Sequence, residues 1–452
     1  GFEIMNFKDE KTGRIRSHNY NLDYIFRQGI SWTALSSGNF GCRYSSQGKL
    51  ADSKGSMLYL KNDDLLMYFL GLLNSCVSKY VLGVTSQTLD FKPGRIAELP
   101  VVVAERDSVE PIVNHQVKLS KKDWDSFETS WDFKKHPLVS YSTNKTSTAF
   151  ELWSNECTER FNQLKANEEE LNRIFIDIYG LQDELAPEVE DKDVTVRKAD
   201  LQRDIKSLIS YAVGCMFGRY SLDEDGLAYA GGEWNNSKYD TFIPDEDNCI
   251  PITDEEYFED DIVGLFCAWL QKVYGEDSLE ENLDFIANAL GNKGDTSREV
   301  IRNYFLKDFY ADHLKVYQKR PIYWLFDSGK QNGFKALIYM HRYDADTVGR
   351  VRTDYLHRAQ KYVETAMQSA QYTIDNASSA SEKSKATKAV TKYTKQLAEM
   401  KIYDEAIAHI ANKRIEIDLD DGVKVNYEKF QGVEVAQEGK KALKVDLLAK
   451  IK

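Results

Sequence analysis

Two polar, turn-rich stretches among the first sixty residues carry the most informative side chains of this chain. They place arginine and lysine among serine, threonine, asparagine, glutamine and tyrosine. Arginine and lysine donate hydrogen bonds to phosphate oxygens, and amide and hydroxyl groups read base edges. An ordinary polar surface explains such a pattern more often than a nucleic-acid contact surface does, and from these residues alone both interpretations stay open. The contact candidates are Ser36, Ser37, Asn39, Arg43, Tyr44, Lys49 and Lys54, with Arg14 and Arg16 in the same stretches.

No catalytic signature accompanies these residues. The sequence has no Gly-x-Gly-x-x-Gly run, no Gly-x4-Gly-Lys-Ser/Thr loop and no His-Glu-x-x-His. An amino-methyltransferase grips a flipped base with an acidic residue or Asn, two successive prolines and an aromatic residue. The eight prolines here all stand alone, and no constellation typical of a nuclease is present. The sequence therefore predicts no catalytic residue and no cofactor site in this chain.

Candidate metal ligands are scattered or better explained in other ways. Three histidines stand apart without a partner pattern, and we interpret them as surface or satisfied core residues: His115, His136 and His313. The acidic run at 255–261 could bind a metal, but a solvated helix face or a patch facing a basic partner explains it better. Aspartates at 418, 420 and 421 miss the spacing of a calcium loop, and Gly422 suits a simple turn. We predict no metal site.

The formal charge of the chain is -13, but its sign varies along the sequence. Residues 223–299 contain 4 basic and 21 acidic residues, whereas residues 301–401 contain 18 basic and 10 acidic ones. The first hundred residues are slightly basic. Because phosphate neutralisation is local, an acidic total does not exclude DNA binding. It indicates instead that the acidic middle segment faces something other than DNA.

Composition predicts a cytoplasmic protein without a membrane partner. No stretch approaches the 18 or more apolar residues of a membrane helix, and no signal segment is present. The six cysteines are scattered without a Cys-x-x-Cys pair, which suits reduced thiols. The chain starts at Gly1 without a Met, so we expect a fragment or a processed form of a longer protein.

The element pattern predicts a helix-rich α+β fold. In the first 104 residues we expect short strands at 30–35, 40–44, 56–60 and 99–103, a helix from Asp63 to about Val81, and a turn at 91–95. Further helices are expected near 148–179, 198–217, 254–274, 278–290 and 296–317, and a β-hairpin at 321–339. Residues 347–413 predict a helical hairpin, and 415–418 and 423–425 predict short strands.

These elements suggest an α/β domain that carries the candidate nucleic-acid contacts, a long-helix scaffold and a C-terminal helical hairpin with short strands. The predicted divisions are 1–104 (DNA-reading), 105–147 (linker), 148–220 (helical spacer), 221–346 (acidic helices with a β-hairpin), 347–413 (helical hairpin) and 414–452 (short strands).

Several motifs resemble the adenine-specific DNA methyltransferases of BREX phage-defence systems. The run from Leu70 to Ser75, then 88–96 and Leu99-Pro100-Val101, resembles the end of their target recognition domains. The runs 29–33 and 36–40 are similar to that family in particular. Matching motifs continue through 153–181, 320–328 and 339–343, so the resemblance covers nearly the whole chain.

The resemblance implies adenine N6 methylation with S-adenosyl-L-methionine by the intact protein. The family's Asn-Pro-Pro-Tyr motif and cofactor pocket precede this region and are absent here, so no catalytic residue can be carried over. The implied partners are double-stranded DNA, other BREX proteins and phage proteins that mimic DNA.

Two other functions remain open from the sequence. A scaffold that docks other defence proteins is favoured by the acidic segment 223–299. An independent enzyme such as a nuclease has no supporting constellation. We therefore expect the DNA-recognition and scaffold part of a methyltransferase, with the non-catalytic scaffold as the alternative.

Overall fold

The computed structural model describes residues 6–15, 21–35, 40–51, 54–85, 90–437 and 439–451. Contacts between residues divide the chain into two units. Unit 1 consists of Gly1–Trp124 and Glu156–Lys198, and unit 2 consists of Asp125–Asn155 and Ala199–Lys452.

Unit 1 is built on a three-stranded antiparallel sheet. Its strands are β1 (Gly29–Thr33), β2 (Cys42–Ser45) and β3 (Gly55–Leu58), in the order β2-β1-β3. In β1 the buried Ile30 and Trp32 alternate with the more accessible Ser31 and Thr33, as a sheet with one covered face requires, whereas all four residues of β3 are half-buried. These are the first three strands that the sequence predicts.

The helices of unit 1 share one hydrophobic core with this sheet. They are α1 (Leu66–Asn74), α2 (Cys76–Thr85), α3 (Pro93–Ala97), α4 (Arg106–Trp124) and the later part of α5 (Thr146–Tyr179). Gly71 allows α1 and α4 to approach closely, because a Cβ atom there would lie 2.7 Å from Cγ2 of Val113. Ile30 and Trp32 of the sheet share this core with Tyr68 and Phe175.

Four expectations for unit 1 need correction. The helix predicted from Asp63 is divided at Ser75. The predicted turn at 91–95 holds the start of α3, where Pro93 fits the first helical position. The predicted strand at 99–103 joins no sheet among the described residues. The predicted linker contains α4, whose buried residues Val109 and Val113 follow a helical spacing that its many charged neighbours obscured.

Unit 2 contains most of the helices and two small sheets. Its helices are α6 (Leu201–Met216), α7 (Ile262–Tyr274), α8 (Leu279–Leu290), α9 (Ser297–Lys307), α10 (Phe309–Val316), α11 (Thr347–Arg350), α12 (His357–Asn376), α13 (Ala380–Lys413) and α14 (Val423–Glu428). Its strands are β4 (Ile250–Pro251), β5 (Tyr323–Asp327), β6 (Lys335–Tyr339), β7 (Val433–Gln437) and β8 (Lys440–Val445).

The core of unit 2 surrounds the predicted hairpin β5-β6. Its two strands are antiparallel and paired along their whole length, from Tyr323 opposite Tyr339 to Asp327 opposite Lys335. Both strands are almost completely buried. The hairpin of α12 and α13 packs on this sheet through Tyr403 and Ile407. The backbone of the C-terminal segment adds hydrogen bonds along β5, from Asp327 to Leu447.

Four helix and strand predictions for unit 2 also need correction. The helix expected at 254–274 begins at Ile262, because the side chain of Asp261 caps its first turn. The helix expected at 296–317 is divided at Asp308. Residues 415–418 pair with no strand among the described residues, and residues 423–425 begin α14. The strand pair of this region is β7-β8, further along the chain.

The helix-rich α+β class is confirmed, together with the helical hairpin. The six predicted divisions stay a prediction. Residue contacts group the chain differently, into the two units given above. Within the described ranges, no single helix has the length and apolar character needed to cross a membrane, and only the pair Asp63–Asn74 and Cys76–Thr85, bent by 66°, meets both conditions together.

Candidate nucleic-acid interface

The exposed face of the unit 1 sheet carries Arg43. Ser31 of β1 lies opposite Arg43 on one side and Met57 on the other, so these three side chains share a face. Ile30 and Trp32 point to the buried face instead. The guanidinium of Arg43 is exposed, and its Nη1 atom lies 3.5 Å from Oγ1 of Thr33. Arg43 therefore presents its donors to solvent.

Tyr44 points to the opposite face of the same strand. Its ring is partly buried against the unit 1 core, and its hydroxyl donates to Oε1 of Gln28 at 3.0 Å. Successive residues of a strand alternate between faces, so Arg43 and Tyr44 do not form one contact surface. Tyr44 therefore packs on the buried face of the sheet.

Lys54 lies at the end of the sheet where β1 ends. The backbone oxygen of Lys54 accepts a hydrogen bond from the nitrogen of Ala34 at 3.2 Å. The oxygen of Ala34 in turn accepts from the nitrogen of Phe91 at 2.7 Å. Three separate segments of the chain therefore meet at this end of the sheet, and Thr33, which Arg43 approaches, is the last residue of β1.

Aromatic residues hold these segments in place. Nε1 of Trp32 donates to the oxygen of Phe91 at 2.8 Å. The ring of Phe40 lies between them, with centroids 6.2 Å from Trp32 and 5.1 Å from Phe91. Because Trp32 and Phe40 are buried, the end of β1, Phe40 and the start of the 91–95 segment are anchored to the core.

The remaining candidates lie elsewhere or outside the described residues. Lys49 is exposed on the loop between β2 and β3. Arg14 is exposed on a turn near the start of the chain. Ser36, Ser37, Asn39 and Arg16 lie outside the described residues. The structure therefore brings Arg43 and Lys54 to one end of the sheet and leaves Lys49 on a separate loop.

Lys92 is a cation at this end of the sheet that sequence reasoning missed. It follows Phe91 directly and is exposed. The resemblance placed it in a motif, but a single lysine beside Pro93 gave no signal of its own. Arg27 and Arg95 are less available, because they pair with Asp63 at 3.3 Å and with Glu98 at 2.8 Å.

Two cations near this end of the sheet, Arg43 and Lys92, can meet an external anion. Across the part of the chain that the structure describes, neither Arg43 nor Lys92 forms an ion pair. Burial raises the pKa of the Cys42 thiol to about 12, so this neighbour of Arg43 stays protonated and is not a nucleophile. The arrangement of Arg43 and Lys92 can bind a polyanion.

Asn74, in the Leu-Asn-Ser run at the end of α1, positions β2. Its Oδ1 accepts from the nitrogen of Cys42 at 2.8 Å, and its Nδ2 donates to the oxygen of Cys42 at 3.2 Å. The side-chain amide of Asn74 thus makes the two backbone hydrogen bonds to the outer edge of β2 that a neighbouring strand would make. Asn172 of α5 likewise binds a backbone group of another segment. Its Oδ1 accepts from the nitrogen of Cys76, the first residue of α2, at 2.9 Å.

Two buried histidines of unit 2 serve as neutral hydrogen-bond acceptors. Nδ1 of His136 accepts from the nitrogen of Leu138 at 3.3 Å. Nε2 of His313 accepts from the nitrogen of Ile322 at 3.1 Å. Burial lowers the pKa of both imidazoles to about 3, which matches a neutral structural role. Among the described residues, no three His, Cys, Asp or Glu side chains are grouped to hold a metal ion.

Comparison with known proteins gives two long matches. The chain is 50% identical over 439 residues to the adenine-specific methyltransferase PglX of Lacticaseibacillus casei (strain Zhang), covering 95% of this chain. It is 34% identical over 461 residues to the adenine-specific methyltransferase BrxX of Escherichia coli O9:H4 (strain HS), covering 94% of this chain. The chain is homologous to these PglX and BrxX methyltransferases. No family model matches it.

The match covers only part of each PglX relative. The chain spans 36% of the length of the Lacticaseibacillus protein and 38% of the Escherichia protein. The resemblance seen in the sequence motifs is therefore confirmed as homology to a section of these PglX-family methyltransferases.

Proposed function

We propose that this chain is the DNA sequence-recognition and scaffold portion of an adenine N6 DNA methyltransferase of BREX phage defence. The supporting observation is the meeting of Arg43, Lys54 and Lys92 at one end of the unit 1 sheet, on segments anchored by Trp32 and Asn74. Rigid elements that present cations on loops are what sequence-specific DNA contact requires.

Arg43 is the proposed base-reading or phosphate-binding residue, since its planar fork suits both guanine edges and phosphates. Lys49, Lys54 and Lys92 are proposed phosphate contacts. Ser36, Ser37 and Asn39 stay proposed contacts on the strength of the sequence. Tyr44 is proposed only to support Arg43, because its hydroxyl is engaged with Gln28.

Catalysis is proposed to lie in a region of the longer protein outside this chain. There S-adenosyl-L-methionine would be bound and the adenine flipped into the catalytic pocket. This chain would choose the sequence and hold the duplex. Double-stranded DNA is the proposed partner, and phage proteins that mimic its charge would compete for the same cations. Other BREX proteins are further proposed partners.

DNA binding at several salt concentrations tests the recognition claim. We expect affinity for duplex DNA to fall steeply between 50 and 200 mM salt, as it does when phosphates are neutralised. Loss of affinity in Arg43→Gln, with none in Lys118→Gln at an exposed position of α4, would support the assignment. Complete absence of binding at low salt would refute the claim that this chain grips DNA independently.

The reading frame before Gly1 tests the methyltransferase claim separately. We expect codons for an Asn-Pro-Pro-Tyr motif within a few hundred positions upstream. Their absence would overturn the proposed link to adenine methylation and leave the DNA-binding result standing.

A scaffold that docks other defence proteins is the second candidate. The acidic segment 223–299 favours it, but several of its carboxylates are engaged within unit 2. Asp261 pairs with Arg302, Asp254 with Lys392, and Glu280 with Arg298. Charge reversal at exposed Glu224 and Glu233 would abolish assembly if docking is the main role, and would leave DNA binding intact.

A further inference from the structure

The segment Pro100–Ala104 of unit 1 is held along one side by two tyrosine hydroxyls. The hydroxyl of Tyr179 donates to the oxygen of Pro100 at 2.7 Å and accepts from the nitrogen of Val102 at 3.1 Å. The hydroxyl of Tyr68 donates to the oxygen of Val102 at 2.7 Å and accepts from the nitrogen of Ala104 at 3.2 Å.

This pattern is that of a β-strand edge. In an extended chain the oxygen of one residue and the nitrogen two positions later point to the same side. Pro100, Val102 and Ala104 show this alternation, so the two tyrosines occupy the place of a neighbouring strand. The backbone groups of Val101 and Val103 must then point to the other side.

That other side is open. Neither Val101 nor Val103 has a backbone hydrogen bond within the described parts of the chain. The three valines are 42%, 45% and 48% exposed, and no charged residue lies between Leu99 and Ala104. An unpaired apolar edge of this kind is a ready template for another strand, and proteins normally cover or charge such an edge.

We infer that Pro100–Ala104 accepts a β-strand from the methyltransferase region of the longer protein. The inference rests on the proposed function, which makes this chain one section of such a protein. The added strand would exchange hydrogen bonds with the nitrogen and oxygen atoms of Val101 and Val103. The segment would thereby fix the recognition unit to the catalytic region.

The length of the relatives argues for this occupant. About two thirds of each PglX relative lies outside the matched stretch, and a covalently attached region is present at high effective concentration. DNA does not suit the edge, because the segment carries no cation. A second copy suits it poorly, because pairing five residues buries far less than the ~1,200 Å² of a stable interface.

Hydrogen exchange in the intact protein and in this chain alone tests the inference. The amides of Val101 and Val103 should exchange at least about tenfold more slowly in the intact protein. The amide of Val102, already bonded to Tyr179, is the internal control and should be protected in both. Equal exchange of Val101 and Val103 in the two proteins would overturn the inference. So would protection that rises with the concentration of this chain alone, because that result indicates a second copy.

A backbone variant gives an independent test. Val103→Pro removes the amide hydrogen on the open side, whereas Val103→Thr retains it and also favours extended structure. With the methyltransferase region supplied as a separate chain, Val103→Pro should weaken association at least about tenfold and Val103→Thr much less. Equal association of both variants would refute strand addition. DNA binding by this chain should be unchanged in both, so failure here is distinct from failure of the proposed function.

Discussion

Asn74 holds both backbone groups of Cys42, although 32 positions separate the two residues along the chain. The same amide nitrogen also donates to the oxygen of Leu70, one turn back in α1, at 3.0 Å. β2 is an edge strand, so this contact is what joins its outer side to the helix. The direction of the neighbouring Arg43 depends on it.

Replacement of Asn74 by Ala should therefore destabilise unit 1 and weaken DNA binding together. Loss of both strand contacts leaves the groups of Cys42 without these partners, which costs about 2–4 kcal/mol. Asn114→Ala is the matched control, since its Nδ2 makes the same one-turn bond to Glu110 and contacts no strand. Urea unfolding and DNA titration measure the two effects, and equal losses in both variants would contradict this role.

Arg43 should govern both affinity and salt dependence. In Arg43→Gln we expect weaker DNA binding and, if the contact is to phosphate, a salt slope smaller by about 0.9. In Arg43→Lys the slope should be retained, while discrimination between DNA sequences falls if the arginine reads a base. A titration over several salt concentrations with two duplexes separates these outcomes. Binding by Arg43→Gln that matches the unmodified chain would rule out Arg43 as a contact.

Local patterns were enough to predict much of unit 1. Short strand-like runs separated by turn residues located β1 to β3. Strand alternation alone could have shown that Arg43 and Tyr44 face opposite sides. The meeting of Lys54, Ala34 and Phe91 could not be predicted, because it depends on hydrogen bonds between distant segments. The helix α4 was missed because charged residues outnumber its buried valines.

The pairing of the strand predicted at 99–103 also depends on distant segments of the chain, so the sequence could not predict it. The run of valines correctly indicated an extended conformation, but a sequence does not reveal whether a partner strand exists. Two tyrosine hydroxyls, from residues 68 and 179, take that place. In unit 2 the final strands were predicted before their true positions in the sequence. Asp421-Gly422 resembles a hairpin turn, but in the structure it precedes the helix α14.

The buried ion pair of Arg302 and Asp261 should be strongly coupled to folding of unit 2. Two guanidinium nitrogens of Arg302 contact the carboxylate at 2.6 and 2.9 Å, and Asp261 also caps α7. Arg302→Met should cost about 3–5 kcal/mol, because it leaves a buried carboxylate without its cation. Arg298→Met removes a similar but exposed pair with Glu280 and should cost less than about 1 kcal/mol. Thermal unfolding that ranks the two variants equally would contradict this account.

Asp245 should make unit 2 less stable as pH rises. Burial, followed by the charge of Asp247, raises the pKa of Asp245 to about 7. The folded state therefore holds a proton that the unfolded chain releases near pH 4. The stabilisation from this proton is complete below pH 4 and is lost as pH rises through about 7.

Asp245→Asn tests this linkage, because its amide oxygen can still accept from the nitrogen of Cys249 and carries no charge at any pH. Relative to the unmodified chain, the variant should gain on the order of 1–3 kcal/mol at pH 8 and much less at pH 4.5. Asp277→Asn, at an exposed position, should show no such change between the two values of pH. Denaturant unfolding at both pH values measures the difference. A gain of the same size at pH 4.5 and pH 8 would show that Asp245 does not carry the bound proton.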